Sequence, residues 1–118
     1  MQNHNFIKKS DVIKIHDKLI EKYGGNPGFL NEGLLSSALS MPEMSFGGEL
    51  LHPTIVEQAA AYFFHISKNH AFVDGNKRTA FAVMVTFLNL NNYELEISDD
   101  NAYRLAIKVV ENEVSKED

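Results

Sequence analysis

Two helical segments that are apolar on nearly every side most constrain how this chain can fold. Residues 55–69 run IVEQAAAYFFHISKN, and Thr54 with Glu57 has the spacing of a capping box in front of them. Residues 80–90, AFAVMVTFLNL, are apolar around most of the helix circumference. Helices of this kind are buried, so we predict two central core helices separated by a charged turn. Their large side chains are predicted core residues: Phe63, Phe64, Phe81, Met84, Phe87 and Leu88.

A first helix is predicted over residues 12–23, where apolar positions recur at helical spacing. Ser10 or Asp11 can cap its start, and Gly24 follows as a stop signal. The predicted apolar stripe consists of Val12, Ile15, Leu19 and Tyr23.

The other segments are shorter and mostly helical. A short helix is predicted at 32–40, and residues 41–51 contain proline and paired glycines typical of a loop or short hairpin. Residues 93–97 alternate in polarity and predict a brief extended piece, after which Ser98 can cap a final helix to about Asn112. Helix signals outnumber strand signals, so the predicted fold class is all-α, a compact helical bundle with one small hairpin or loop.

Length and charge limit the class of protein. A chain of 118 residues is about one domain, so a single domain over 1–118 is expected, with ends that fray at about 1–8 and 113–118. Eleven basic and sixteen acidic residues give a formal net charge of −5. This charge argues against nucleic acid or an anionic membrane as the main partner, so any phosphate site must be local.

Cysteine count and hydropathy suggest a compartment. The absence of cysteine excludes a disulfide framework, a thiolate zinc site and a cysteine nucleophile. The first residues lack the pattern of a signal peptide, and no uncharged apolar run approaches the roughly 18 residues of a spanning helix. A soluble, cytoplasmic protein is therefore expected.

The turn at residues 70–78, HAFVDGNKR, contains most of the chemistry-bearing side chains. It enters the second core helix, and the N-terminus of a helix offers backbone N–H groups and a positive dipole end that bind phosphate. Gly75 allows the backbone to approach a ligand closely, while Lys77 and Arg78 add local positive charge. The carboxylate of Asp74 suits a magnesium ion better than a phosphate.

Two further side chains complete this turn. Histidine is a common general base, so beside a bound polyphosphate His70 can accept a proton from an incoming hydroxyl. Phe72 is better explained as a hydrophobic anchor that holds the turn on the core than as a reacting group. For a histidine considered alone, bracing of the turn is the alternative role.

The string at residues 70–78 resembles the signature of the Fic/Doc family, histidine-x-phenylalanine-x-acid-glycine-asparagine-x-arginine, with no gap. The similarity extends to GGNPGFLNEGLLSSALSMP and FGGELLHPT, which resemble the N-terminal half of the Doc, or death-on-curing, branch. Together these similarities cover roughly residues 10–105. The resemblance implies a compact helical protein that uses ATP and a magnesium ion to modify a hydroxyl of a target protein.

The same resemblance assigns roles to individual residues. It implies that His70 is the catalytic base and that Asp74 is the metal-binding acid. It also implies that Gly75 and Asn76 belong to the anion-binding turn, that Arg78 clamps phosphate and that Phe72 is the anchor.

Residues 41–51 occupy the place of the family's flap, a segment that aligns the target by strand-like pairing. Within it, Phe46 and Gly47 are candidate contacts for the target. A loop of this composition can equally be only a connector, so both roles stay open.

Lys77 stands where most nucleotide-transferring members of the family have a second glycine. In the Doc branch, this replacement accompanies presentation of the γ-phosphate, which implies a protein kinase that uses Lys77 as a phosphate contact. Transfer of AMP by the same site is the first alternative. A binding module that retains the fold without catalysis is the second.

The resemblance also bears on regulation and target. The chain contains no string of serine or threonine, three residues, glutamate, then glycine or asparagine, which self-inhibiting members carry. Restraint is therefore expected from an antitoxin with a disordered tail that folds on binding. The implied target is translation elongation factor Tu, whose modification would block translation.

Overall fold

The computed structural model describes residues 4–94, which form four α-helices and one two-stranded hairpin. This architecture confirms the predicted all-α class with a small hairpin. The predicted final helix, and most of the extended piece at 93–97, lie outside the described residues. In chain order the elements are α1 Lys9–Tyr23, α2 Glu32–Ser40, β1 Ser45–Phe46, β2 Glu49–Leu50, α3 Ile55–Asn69 and α4 Asn76–Leu90.

The core lies between α3 and α4, which form the principal helix pair, while α2 packs on α3 and α1 packs on α4. Tyr62, Phe72 and Phe87 are its largest fully buried side chains. Two of the predicted core residues, Phe64 and Met84, are only half-buried, because each lies at the edge of its helix's buried face. The other predicted core side chains are buried: Phe63, Phe81, Phe87 and Leu88.

The start of α3 agrees with its predicted cap. The Thr54 side chain accepts a hydrogen bond from the Glu57 N–H at 3.1 Å, and its hydroxyl donates to Glu57 Oε1 at 2.7 Å. The first N–H groups of a helix have no partner inside it, so such a cap stabilises the helix by about 1 kcal/mol.

The predicted starts of α1 and α4 are wrong. The N-cap of α1 is Lys8 without a side-chain hydrogen bond, so Ser10 and Asp11 lie inside the first turn and do not cap it. Helix α4 begins at Asn76 instead of residue 80. The polar residues 76–79 obscured this start, because their side chains interrupt the apolar pattern without interrupting the backbone helix.

Residues 4–8, part of the segment predicted to fray, lie against the helices. Ile7 is buried, and its N–H donates to the Tyr62 hydroxyl at 3.0 Å. The Asn5 N–H donates to Asn91 Oδ1 at 2.9 Å, which joins this segment to the end of α4. The N-terminal segment therefore closes one side of the helix pair.

The hairpin extends from the body of the protein into solvent. Ser45 pairs with Leu50, and Phe46 pairs with Glu49. The two turn residues, Gly47 and Gly48, have φ of 61° and 84°, a sign combination typical of the type I′ turn that suits right-twisted hairpins. The described helices include none that is both long enough and apolar enough to span a membrane.

Candidate active site

The turn between α3 and α4 is a short, anchored connection between two buried helices. His70 is the C-cap residue of α3 and is exposed to solvent. Its backbone lies in the left-handed region, with φ of 49°. Gly75 precedes α4, also in the left-handed region, with φ of 80°. Ala71 and Phe72 are buried between these two points, whereas Asp74 is exposed. The turn thus presents its imidazole and carboxylate to solvent while its apolar residues hold it on the core.

Asn76 closes this turn with its side-chain amide. The Phe72 N–H donates to Asn76 Oδ1 at 3.0 Å, and Asn76 Nδ2 donates to the Phe72 carbonyl at 2.8 Å. Both bonds are buried, where an unmade bond is costly. The sequence assigned Asn76 to phosphate binding, but its side chain is committed to the turn. Any contact of Asn76 with phosphate therefore comes from its backbone N–H.

Phe72 lies in a stack of three rings. Its ring centroid is 3.6 Å from that of His16 at an interplanar angle of 9°, and 4.9 Å from that of Phe29 at 24°. Phe72 is fully buried. These contacts fit its predicted role as the anchor, because they join the turn to α1 and to the loop between α1 and α2.

That loop also pairs with the turn through its backbone. The Leu30 N–H donates to the Ala71 carbonyl at 2.8 Å, and the Val73 N–H donates to the Gly28 carbonyl at 2.9 Å. An isolated antiparallel bridge between Phe29 and Phe72 results. The conformation of the turn therefore depends on residues more than 40 positions earlier in the chain.

Asp74 is held at both its backbone and its side chain. Its carbonyl oxygen lies 2.8 Å from His16 Nε2, and its Oδ2 accepts a hydrogen bond from the Asn26 N–H at 2.7 Å. Among residues 4–94, no described hydrogen bond engages Oδ1 of Asp74. The hydrogen bond to Oδ2 thus orients the carboxylate and leaves Oδ1 available for a ligand.

The single carboxylate of Asp74 suits a magnesium ion that is also bound by phosphate oxygens of a nucleotide. No group of three or more histidine, cysteine, aspartate or glutamate side chains within residues 4–94 could hold a metal ion by itself. Magnesium is commonly held by one or two carboxylates together with substrate phosphates and water. Asp74 Oδ1 is the carboxylate oxygen suited to this role, so the site fits a metal that arrives with a nucleotide.

The backbone conformation of Gly75 favours glycine, and its surroundings bring α1 close to it. Its φ of 80° is strained for any residue with a side chain. In addition, a Cβ at this position would lie 3.3 Å from Ile20 Cδ1 and 3.6 Å from the His16 ring. The backbone of the turn therefore packs directly on α1.

Arg78, in the first turn of α4, lies over an aromatic ring. Its guanidinium carbon is 4.2 Å from the ring centroid of Tyr23, and Lys22 Nζ is 5.2 Å from the same centroid. The predicted placement of Tyr23 on the buried stripe of α1 is wrong, because its side chain is 55% exposed. The end of α1 instead supports the arginine of the turn.

The entrance of α4 brings several positive groups together. The first N–H groups of a helix point out of its N-terminus, and the helix dipole makes that end positive. The first turn of α4 has no acidic residue, and Gly75 supplies no side-chain cap. Lys77 and Arg78 add two cations at the same end, so the arrangement suits a polyphosphate.

Phe46 and Gly47 lie in the hairpin, Phe46 in β1 and Gly47 in its turn. Phe46 is 86% exposed, and no heavy atom lies within 4 Å of the position of a Cβ on Gly47. None of the hydrogen bonds described for residues 4–94 joins the hairpin to residues 70–78. The exposed Phe46 side chain is therefore at a surface that another molecule can contact.

Sequence reasoning missed three residues that shape the site: His16, Tyr23 and Asn26. His16 gave a signal, since it lies one helical turn after the buried Val12, at a position where an apolar residue is expected. Tyr23 was predicted only as part of the apolar stripe of the first helix. Asn26 acts through its backbone N–H, which side-chain patterns cannot reveal.

These features define a class: a helical domain in which a glycine turn, a carboxylate and two cations meet at the N-terminus of a buried helix. The family model described as the Fic/DOC family matches residues 6–88. The chain therefore belongs to the Fic/Doc family, as the motif predicted.

Two curated relatives match the chain. It is 38% identical over 78 residues to "Toxin Doc" of Mycolicibacterium smegmatis, a match that covers 66% of this chain and 60% of that protein. It is 29% identical over 89 residues to "Protein kinase doc" of Escherichia phage P1, covering 75% of this chain and 70% of the phage protein. Both names confirm the predicted resemblance to the Doc branch.

Proposed function

We propose that this protein is a Doc-type toxin that transfers the γ-phosphoryl group of ATP to a hydroxyl of a protein target. The proposed target is translation elongation factor Tu, and the consequence is a block of translation in the cytoplasm. The names of the two relatives, a toxin and a protein kinase, support this proposal.

The proposal rests on one observation: the motif residues lie on a turn at the entrance of α4 that contacts from other parts of the chain hold in place. Asn76 closes the turn, His16 and Asn26 hold Asp74, and Tyr23 supports Arg78. Phosphoryl transfer depends on positioning and on stabilisation of charge, so pre-fixed donors are what this chemistry needs.

In the proposed reaction, the target hydroxyl attacks the γ-phosphorus of ATP. A bond forms between the hydroxyl oxygen and that phosphorus, and the bond to the β–γ bridging oxygen breaks in line, which releases ADP. His70 accepts the hydroxyl proton. The N–H groups at the start of α4 and the Arg78 guanidinium bind the phosphate oxygens.

Asp74 would hold the magnesium ion through Oδ1, while Oδ2 stays on the Asn26 N–H. Bound there, the ion would neutralise developing charge on the phosphates. Lys77 is exposed at the same entrance. Its side chain would occupy space that a glycine would leave open for the outer phosphates. This crowding favours the pose in which the γ-phosphate faces the target.

Restraint of the toxin is proposed to come from a separate antitoxin. The name of the mycobacterial relative supports a toxin–antitoxin context. A disordered antitoxin segment that folds on binding would suit this context, since such segments can wrap a large surface of their partner.

The proposal can be tested by incubating the purified protein with magnesium and elongation factor Tu. Parallel reactions contain ATP labelled on the γ-phosphate or on the α-phosphate. His70→Ala removes the proposed base and should lower the rate by about 10²–10⁴-fold. His52→Ala, in the loop before α3, is the matched control and should keep wild-type activity.

Label retained on the target only from the γ position would support the kinase proposal. Label from the α position would replace it with AMP transfer by the same site. Equal activity of the wild type and His70→Ala would contradict the proposed role of His70.

A further inference from the structure

His16 of α1 is buried directly beneath the motif turn. Its exposed fraction is 0%, and its ring stacks on Phe72 with a centroid distance of 3.6 Å. Its Nε2 lies 2.8 Å from the carbonyl oxygen of Asp74. A carbonyl oxygen only accepts hydrogen bonds, so Nε2 carries the proton and donates it. His16 therefore contacts both the anchor and the acid of the turn.

The other ring nitrogen indicates why this residue is a histidine. Within residues 4–94, His16 Nδ1 is buried without a hydrogen-bond partner, and the Asp17 carboxylate oxygen is 3.9 Å away. An unsatisfied buried polar atom is destabilising, so packing alone would be served better by an apolar side chain. The hydrogen bond from Nε2 to the Asp74 carbonyl offsets the cost of the unsatisfied Nδ1.

We propose that His16 is a positioning residue for Asp74, and that it sets the affinity of the site for the divalent cation that accompanies the nucleotide. The inference rests on the proposed function, in which Asp74 Oδ1 binds that cation.

Two hydrogen bonds fix the position of Asp74, and they come from different parts of the chain. His16 holds its backbone carbonyl, and Asn26 holds its carboxylate. A Cβ on the adjacent Gly75 would lie 3.6 Å from the His16 ring, so the ring also borders the backbone next to Asp74. Loss of the Nε2 hydrogen bond would let Asp74 shift while Asn76 still closed the turn.

A matched pair of variants separates the hydrogen bond from the stacking. His16→Gln and His16→Met both remove the ring, and their side chains are similar in length and volume. The Gln amide can donate to the Asp74 carbonyl, whereas the Met thioether cannot. Val12→Ala is the structural control, because it removes buried volume one turn earlier on the same face of α1.

The measurement is binding of Mn²⁺, as a spectroscopic substitute for Mg²⁺, in the presence of a non-hydrolysable ATP analogue, followed by electron paramagnetic resonance. Partners that orient metal ligands typically affect metal affinity by 10–100-fold, so His16→Met is expected to raise the Kd for Mn²⁺ by about tenfold. His16→Gln is expected to recover most of the affinity. Val12→Ala should lower the unfolding midpoint without changing this Kd.

Equal Kd values for His16→Gln and His16→Met, both close to wild type, would overturn the inference. If His16→Met fails to fold, His16→Phe replaces it, since it keeps a ring against Phe72 but cannot donate. A wild-type Kd for His16→Phe would then overturn the inference. If the wild type itself binds no Mn²⁺ with the nucleotide analogue, the proposed function fails, and the inference fails with it.

Discussion

At the scale of single residues, the motif positions divide into those that face solvent and those that build the turn. His70, Asp74 and Lys77 are exposed, whereas Phe72 and Asn76 are buried and hold the turn together. Membership of the signature thus does not imply contact with a ligand. Asn76 is the clearest case, because its amide satisfies both backbone groups of Phe72.

Tyr23 is expected to assist ATP binding by orienting Arg78, whose guanidinium carbon lies 4.2 Å from the centroid of the Tyr23 ring. A cation over an exposed aromatic ring is stabilised by roughly 0.5–1 kcal/mol. Tyr23→Leu should therefore weaken ATP binding by about two- to fivefold, since Arg78 loses its orientation. Tyr23→Phe retains the ring and should bind ATP as the wild type does. Isothermal titration calorimetry with magnesium measures both Kd values.

The control for this prediction is Tyr93→Leu, which removes another exposed tyrosine, 46% exposed, after the end of α4. Its Kd for ATP should be unchanged. If Tyr23→Phe weakens binding as much as Tyr23→Leu does, the hydroxyl and not the ring face supports the site.

At the scale of elements, the sequence predicted which helices exist better than where they begin. Four predicted helices are present, and the capped start of α3 is at Thr54. The start of α4 was placed four residues late, because residues 76–79 are polar and periodicity reports only the apolar face. That boundary matters, since it places Lys77 and Arg78 in the first turn of α4.

The hairpin is expected to contribute to binding of the target protein. The positive φ of Gly47 is unfavourable for a β-branched residue, although nothing blocks a side chain there. Gly47→Val should distort the hairpin at a local cost of about 1–3 kcal/mol and raise the KM for elongation factor Tu severalfold. Gly47→Asn should be tolerated, since Asn followed by Gly suits a type I′ turn.

The readout is the transfer rate as a function of target concentration, together with the Kd for ATP. Both variants should bind ATP normally, because no described hydrogen bond among residues 4–94 joins the hairpin to the turn. A wild-type KM for Gly47→Val would show that the hairpin is only a connector.

At the scale of the whole molecule, the site depends on three separated parts of the chain. The turn at 70–78 is held by His16 of α1 and by residues 26–30 of the following loop. The sequence identified the turn because its residues are contiguous. It could not identify the supports, because their proximity exists only after α1 packs on α4.

The free energy of unfolding of the whole domain is expected to depend on pH through His65. Burial lowers the pKa of the His65 imidazole below its usual 6.5, and the charge of His52 lowers it further. The unfolded chain therefore binds this proton more readily than the folded chain does. The contribution of the uncharged His65 to the free energy of unfolding should be fully present above pH 6.5. It should decrease as the pH falls through the lowered pKa of His65 in the folded state.

Urea unfolding midpoints measured across this pH range test the effect. His65→Gln should flatten the decrease, because it removes the titrating group. A decrease of the same size in His65→Gln and in the wild type would assign the acid sensitivity to another group.

Transfer of a phosphoryl group to a protein by the turn at 70–78 is best tested by the intact mass of elongation factor Tu after incubation with the protein, ATP and magnesium. The expected result is a gain of one phosphoryl group, with ADP as the nucleotide product, and no gain with His70→Ala. A gain of AMP with release of pyrophosphate would contradict it.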